Sequence, residues 1–198
     1  KRLNLPFNES GFKFENVNSN FLSINYLNKI EKKSHVKKDN DFFLCVGEIH
    51  LNKKVIKGTE ASKLLQKFYN KKKLKEFINL NGNFLFFIKE KKLLIIGRSN
   101  FSLIPLYYHF HNDEFNFCYD ITNLKTNLHE ETSFNLYKVG QLFLTNGVIL
   151  DNNTLIKNIN FLRNGELISF KNGKIDTKMN NFFTYSAEEK DCEFHLEN

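Results

Sequence analysis

The side chains that could carry nucleophilic or metal chemistry in this sequence are its cysteines and one pair of histidines. The three cysteines are far apart: Cys45, Cys118 and Cys192. None belongs to a Cys-x-x-Cys pair, so the sequence indicates neither a disulfide framework nor a zinc site. His109 and His111 share one face of a predicted strand and could chelate a metal together with Asp113. A solvated hairpin face is the simpler interpretation of this cluster, and we predict no metal site.

Cys45 is tempting as a nucleophile, but its surroundings argue against that role. It lies within Phe42–Ile49, a nearly continuous apolar run that predicts a strand buried on both faces. Burial disfavours the thiolate, so a thiol in such a strand has a raised pKa and little reactivity. We therefore assign Cys45 to the core.

Three helices are predicted from the spacing of apolar residues and from residues typical of helix ends. Apolar residues at helical intervals predict helices over residues 61–69, 74–80 and 134–144, the last with Leu136, Val139, Gly140 and Phe143 on one face. Gly58-Thr59 is the predicted N-cap of the first helix. Asn81-Gly82 is the predicted left-handed cap of the second.

The remaining elements are predicted strands, grouped together rather than alternating with helices. A short strand is predicted around Phe21–Asn25, and Lys29–Asp41 is predicted to be a charged surface loop. Three hairpins are predicted: Asn83–Lys89 with Leu93–Arg98, Leu106–Phe110 with Phe115–Tyr119, and Glu166–Lys171 with Lys174–Thr177. This grouping predicts an α+β domain built of mostly antiparallel sheets.

The composition is that of a globular domain with a basic surface. The chain has 198 residues, 41% of them hydrophobic and 15% aromatic, which is enough for one sizeable core. Its net charge of +7 comes almost entirely from lysine, since arginine occurs only at positions 2, 98 and 163. Because arginine is the better residue for bidentate base or phosphate recognition, nucleic acid is not an expected partner. The lysine runs are best interpreted as solvated faces, with an acidic partner or polyphosphate as the alternative.

The ends and the hydropathy of the sequence bear on its location and completeness. No apolar run approaches the roughly 18 residues that span a bilayer, and no signal-peptide pattern opens the chain. A cytoplasmic location with reduced thiols is therefore expected. The chain starts at Lys1 and its only methionine is Met179, which suggests a fragment or a processed product.

One segment of the sequence, Leu80–Tyr108, carries a specific family resemblance. It begins Leu-Asn-Gly-Asn-Phe-Leu-Phe, continues through a hairpin to Gly97-Arg98, and ends in Pro105-Leu106-Tyr107-Tyr108. This order resembles the glutaminase-type N-terminal domain of asparagine synthetases, which are class II glutamine amidotransferases. Arg98, Pro105 and Tyr107 match the family's loop. Ser99 and Ser102 stand where the family has aspartate and glycine, so the loop keeps its frame but not its charge.

The resemblance covers about Gly11–Phe183 and implies a fold and a domain division. The implied fold is the four-layer α/β/β/α sandwich of the N-terminal nucleophile hydrolases, with mostly antiparallel sheets. The implied glutaminase-like domain comprises residues 1–183. Residues 184–198 would be a linker or the start of a C-terminal synthetase domain.

The same resemblance implies a glutamine pocket that has lost its chemistry. A family glutaminase uses an N-terminal cysteine whose own α-amine acts as its base, and no cysteine precedes Cys45. The positions that match the pocket are Phe21 for an arginine, Val46 for an asparagine, Gly58 for an aspartate, and the retained Gly47 and Glu48. Valine donates no hydrogen bond, so half of the oxyanion hole is missing, a loss of roughly 3 kcal/mol. We expect no catalytic residue in this chain.

The expected function is therefore a glutaminase-like domain without glutaminase activity. Its parent would be an ATP-dependent amide-forming protein similar to asparagine synthetases, whose members without the N-terminal cysteine include lasso-peptide cyclases and β-lactam synthetases. ATP and Mg²⁺ would bind only to the synthetase domain, which is the expected partner, with a homodimer left open. Two alternatives remain at this point: an active glutaminase whose cysteine precedes Lys1, and a non-enzymatic interaction module.

Overall fold

The computed structural model describes residues 12–18, 23–29, 35–38, 41–111, 114–127, 133–147, 149 and 151–179. The strands in these ranges are β1 (Phe12–Asn18), β2 (Ser23–Lys29), β3 (His35–Lys38), β4 (Asp41–Leu51), β5 (Lys54–Lys57), β6 (Asn81–Glu90), β7 (Leu93–Arg98), β8 (Tyr107–His111), β9 (Glu114–Cys118), β10 (Ile159–Phe161), β11 (Glu166–Lys171) and β12 (Lys174–Met179). The helices are α1 (Gly58–Asn70), α2 (Leu74–Ile78), α3 (Ile121–Asn127) and α4 (Leu136–Leu144).

The described strands form three sheets in which every pair is antiparallel. The largest has seven strands in the order β12-β11-β7-β6-β4-β3, with β5 also paired to β4. The second has the order β10-β8-β9, and β1 pairs with β2 in the third. The prediction of mostly antiparallel sheets is thereby confirmed.

Strand β4 lies at the centre of the domain because both of its faces are buried. Phe42 and Leu44 pack in the core between the large sheet and the β8–β10 sheet. Phe43 and Cys45, which alternate with them, pack in the core beneath α1. All four are at most 2% exposed, and burying each large side chain stabilises the fold by about 1.5–3 kcal/mol.

The outer layers cover the two sheets. Helix α1 contributes Ala61 and Leu65, and α2 contributes Phe77, to the core on one face of the large sheet. On the far side, α3 lies against β8 and β9, and its Leu124 is only 3% exposed although it belongs to neither of the two cores. The layer order is α/β/β/α, as the sequence resemblance predicted.

The three predicted hairpins are present. The turn at Asn172-Gly173 has φ values of 50° and 71° at its two central residues, which a type I′ turn between twisted strands requires. Lys91 and Lys92 form the turn between β6 and β7. Strands β8 and β9 pair as expected, and the residues between them, including Asp113, lie outside the described part of the chain.

Several local predictions are wrong, and each error has a structural reason. The predicted loop 29–41 contains β3, a polar edge strand whose backbone pairs with β4, and pairing of that kind needs no apolar side chains. The N-cap of α1 is Lys57, in extended conformation, and not Gly58-Thr59. Asn81-Gly82 is not a helix cap, because it opens β6 with a φ of 147° at Gly82.

Candidate functional site

Four of the five predicted pocket residues lie at one end of the large sheet. Val46, Gly47 and Glu48 follow one another in β4 and pair with Leu85, Phe84 and Asn83 of β6. Glu48 also pairs with Lys57 of β5, and Gly58 follows directly as the first residue of α1. These four positions are therefore neighbours in the sheet. Phe21 lies outside the described residues.

Val46 is a packing residue in this arrangement. Its side chain is partly buried and lies against the core between the two larger sheets. The side chain carries neither a hydrogen-bond donor nor an acceptor, so it cannot stabilise an oxyanion. An asparagine there would have to bring a polar amide to the margin of an apolar core.

Gly58 contributes no side chain to the site either. It begins α1 with a φ of 58°, directly after the extended Lys57. A carboxylate that could bind an amine is therefore absent at the position where the family resemblance places one.

Glu48 is held at the surface by basic neighbours. Its carboxylate oxygens lie 2.6 Å from Lys57 Nζ and 3.3 Å from His50 Nε2. The hydrogen bonds from Lys57 and then His50 lower the pKa of Glu48 below its usual range. The carboxylate is thus ionised and engaged within the chain, which argues against its serving as a free amine-binding group.

Arg98, the first residue of the predicted family loop, is buried and spans two segments of backbone. Its Nη1 donates to Leu162 O at 2.7 Å and its Nη2 to Ser102 O at 2.8 Å. Its guanidinium also lies 4.6 Å from the ring centre of Phe161. Burial lowers the pKa of Arg98, and the side chain is 5% exposed. The residue fixes the loop and presents no open face to a ligand.

Ser99, where the family has an aspartate, is fully buried in this structure. Its Oγ donates to Gly82 O at 2.9 Å and accepts from Phe84 N at 3.3 Å. These bonds tie the start of the loop to β6. A charged side chain at this point would need a buried counter-charge, whereas the neutral hydroxyl is satisfied by the backbone.

Asn83 is a residue of the site that sequence reasoning used only as part of a motif. Its Oδ1 accepts from Leu103 N at 2.9 Å and from Ser102 Oγ at 3.3 Å. Because Asn83 pairs with Glu48 in the sheet, it connects the pocket strand to the loop. A sequence feature that could have pointed to Asn83 is a polar residue near the start of a strand that pairs with another polar residue, Glu48.

Pro105 and Tyr107 carry the loop from Arg98 into the second sheet. Tyr107 stands with its ring centre 5.5 Å from that of Phe161. Between them, Leu106 O accepts from Leu162 N at 2.8 Å. The predicted loop residues thus meet the 161–162 segment, and they do so through packing and backbone bonds.

Glu166 is a buried polar residue that was not predicted from the sequence. Glu166 is 2% exposed, and its carboxylate accepts from Asn152 Nδ2 at 2.7 Å and from Arg163 N at 2.8 Å. These bonds close the segment from Asn152 to the start of β11. The sequence places Glu166 after an Asn-Gly turn, where an exposed side chain would be the usual expectation.

The cysteines and histidines form no reactive or metal-binding group among the described residues. Cys45 is 1% exposed, and burial raises the pKa of its thiol. Burial is also the main reason that the pKa of Cys118 is raised. His109 and His111 have ring centres 6.2 Å apart, and the described part of the chain contains no cluster of three or more potential metal ligands. In the described ranges, no helix is both long and apolar enough to cross a membrane.

Comparison with protein families decides the class of this domain. Residues 48–183 match the glutamine amidotransferase domain family, and this match covers more than half of the chain. The chain belongs to this family. The resemblance of the sequence to class II glutamine amidotransferases is confirmed at this level.

Comparison with solved structures gives 20 matching chains. Among them, this chain is similar to the glutamine phosphoribosylpyrophosphate amidotransferase from B. subtilis complexed with ADP and GMP, at 10% sequence identity and a TM-score of 0.49. The likeness covers 81% of this chain and 35% of that one, so this chain spans about a third of the other's length. A comparison with curated proteins gives no match.

Proposed function

We propose that this amidotransferase domain does not hydrolyse glutamine. The observation that carries the proposal is Val46. It follows Cys45 in a central strand, lies beside Gly47 where the family resemblance places the oxyanion-hole amide, and packs against the apolar core. Without that donor, a negative charge that develops on the amide oxygen loses roughly 3 kcal/mol of stabilisation, or about a hundredfold in rate.

The surrounding residues support the same proposal. Gly58 offers no carboxylate for the α-amine of glutamine, and Glu48 is paired with Lys57 and His50. Both terminal nitrogens of Arg98 donate hydrogen bonds to backbone carbonyls. The charged side chains at this end of the domain are therefore engaged in holding the protein together.

Cys45 does not serve as the nucleophile of a glutaminase. Its thiol is buried in the core beneath α1, and burial raises its pKa, so the reactive thiolate is not formed near neutral pH. Its backbone N–H donates to Ser62 Oγ at 2.9 Å, which fixes the strand against the helix.

We further propose that the domain is part of an ATP-dependent amide-forming protein similar to asparagine synthetases. In proteins of the lasso-peptide cyclase or β-lactam synthetase type, the amine comes from the substrate and no ammonia is needed. The glutamine-binding residues of such a protein can therefore be replaced without loss of function. ATP and Mg²⁺ would then bind to a synthetase domain of the same protein. Residues 184–198, outside the described part of the chain, would lead towards it.

The test is glutamine hydrolysis by the full-length protein, with ammonia and glutamate measured separately. An active class II amidotransferase assayed in parallel is the positive control. We expect no release of either product above the uncatalysed background, and no heat of glutamine binding in calorimetry. Protein-dependent formation of glutamate, or a dissociation constant of about 1 mM or tighter, would overturn the proposal.

A further inference from the structure

A groove with basic sides lies where helix α1 ends and helix α2 begins. It encloses about 240 Å³ and is lined by five residues: Lys67, Phe68, Lys71, Lys73 and Glu76. Phe68, the apolar member of this set, is partly buried and packs edge-to-face against Phe77 of α2. The α1–α2 groove therefore joins a fixed apolar surface to a positively charged rim, which suits a ligand with both acidic and apolar groups.

The groove is strongly positive because the sequence around it is rich in lysine. Residues 61–75 contain six lysines and no acidic residue. Lys73 is already paired with Glu76, at 2.8 Å, but among the described residues no ion pair includes Lys67 or Lys71. Both of these side chains are exposed, and their spacing of four residues places them on the same side of the helix end. Two adjacent cations are thus available to an anionic group.

The segment 187–198 of the same chain carries the opposite charge. It contains one lysine, Lys190, and five acidic residues: Glu188, Glu189, Asp191, Glu193 and Glu197. Its formal net charge is therefore −4, and the other 186 residues together carry +11. It also contains two large apolar residues, Phe194 and Leu196. This acidic segment, which lies outside the described residues, has the two chemical features that the groove suits.

The acidic segment is close enough along the chain to reach the groove from the end of strand β12. In the large sheet β12 is four strand positions away from β4, the strand that α1 packs against, and four steps of strand spacing amount to roughly 19 Å. Glu188 follows Met179, the last residue of β12, by nine residues. A stretch of that length spans up to about 30 Å when extended, so the first carboxylate can cross the sheet to α1.

We propose that the acidic segment 187–198 binds to the α1–α2 groove of the same chain, with carboxylates against Lys67 and Lys71 and with Phe194 against Phe68. A polyphosphate would pair with the lysines but would leave the apolar surface uncovered. Because the segment is attached to the domain, its effective concentration at the groove is on the order of millimolar, which favours it over a separate acidic peptide. A bound segment would also fix the direction in which the chain leaves this domain.

Zero-length cross-linking tests this contact in the 198-residue chain and in the full-length protein. A carbodiimide joins a lysine amine to a carboxylate only where the two are in contact. We expect peptide mapping of the monomeric product to find Lys67 and Lys71 linked to acidic residues of 187–198. The yield should fall in about 1 M salt, because the charges are then screened. Lys171 and Lys174, exposed beside the β11–β12 turn, are the internal control and should not be linked to the segment.

Single substitutions separate this contact from a general attraction between opposite charges. Lys71→Glu should lower the linkage of Lys67 to the segment at least about threefold, because it replaces an attraction by a repulsion. Phe194→Ser should lower it as well, because it removes the apolar contact with Phe68. Lys174→Glu makes the same change in net charge away from the groove and should have no effect. Circular dichroism verifies that every variant is folded.

Three results would each overturn the proposal: links that form only between different chains, equal linkage in Lys71→Glu and Lys174→Glu, and no links to the segment in the full-length protein. Glutamine takes no part in these measurements. Their outcome is therefore independent of whether the domain hydrolyses glutamine, and the two proposals can fail separately.

Discussion

Gly47 and Gly82 lie diagonally across the antiparallel pair formed by β4 and β6, and each is in contact with the backbone of the other strand. A Cβ at Gly47 would lie 2.1 Å from Asn83 O, and a Cβ at Gly82 would lie 2.3 Å from Glu48 O. Both residues have positive φ, 107° and 147°. At both positions the backbone of the partner strand therefore leaves no room for a side chain, on either side of the Glu48–Asn83 pair at the edge of the candidate pocket.

Alanine at either position should destabilise the domain. Gly47→Ala and Gly82→Ala each combine a strained φ of about 1–3 kcal/mol with an overlap that costs about 1–3 kcal/mol more. We expect each to lower the free energy of unfolding in urea by at least about 2 kcal/mol. Gly140→Ala is the control: it lies in a helix with open space around it and should stabilise by up to about 1 kcal/mol. Equal effects at all three positions would show that the close approach is not what requires glycine.

The central part of the fold could be predicted from the sequence because its signals are strong and local. The short apolar run Phe42–Ile49, with its aromatic residues, favours a strand buried on both faces. Asn172-Gly173 is typical of a tight hairpin turn. The edge strand His35–Lys38 could not be predicted in this way, because it is mostly polar and pairs with β4 through its backbone, with only Val36 packed against the core.

Arg98 should behave as a structural residue. Arg98→Lys keeps the charge but can reach only one of the two carbonyls that the guanidinium contacts, Leu162 O and Ser102 O. We expect it to lower the free energy of unfolding by about 1.5–3 kcal/mol, because hydrogen bonds to charged groups are worth that much. Lys92→Ala, at an exposed turn position, should change stability by less than about 0.5 kcal/mol. If the Arg98→Lys protein were as stable as the parent chain, the two hydrogen bonds of the guanidinium would not be needed for stability.

The ion pair between Lys138 and Asp151 should make stability depend on pH in the acid range. The hydrogen bond from Lys138 is the main cause that lowers the pKa of Asp151 in the folded state. Its contribution is therefore present above the unfolded pKa of about 3.9 and is lost as pH falls through the lower folded value. Asp151→Asn should be less stable than the parent chain near neutral pH, and the difference should shrink towards zero in strong acid.

Urea midpoints measured across the acid range check this prediction. Asp176→Asn is the control, because its partner Lys178 and Asp176 itself are 69% and 61% exposed and such pairs contribute about 0–1 kcal/mol. A constant difference between Asp151→Asn and the parent chain at every pH would mean that ionisation of Asp151 is not involved.

The sequence could predict that the matched pocket positions are neighbours, but it could not predict their contacts. Family spacing placed Val46, Gly47, Glu48 and Gly58 together, and the sheet brings them to one end. The hydrogen bonds between the Ser99 side chain and the backbone of β6 could not be predicted, because they depend on a loop that folds back across two strands. Long-range geometry of this kind leaves no periodic signal in the sequence.

Cys45 should be inert to thiol reagents in the folded protein. Its side chain is 1% exposed, and burial raises its pKa, so both access and thiolate formation are suppressed. Alkylation by iodoacetamide at mildly alkaline pH, followed by peptide mapping, should leave Cys45 unmodified in the native chain and modify it fully in concentrated urea. Cys118 is less buried and should react faster under native conditions, which makes it an internal control. Rapid native labelling of Cys45 would mean that the strand opens or that the thiol is activated, and it would revive Cys45 as a nucleophile.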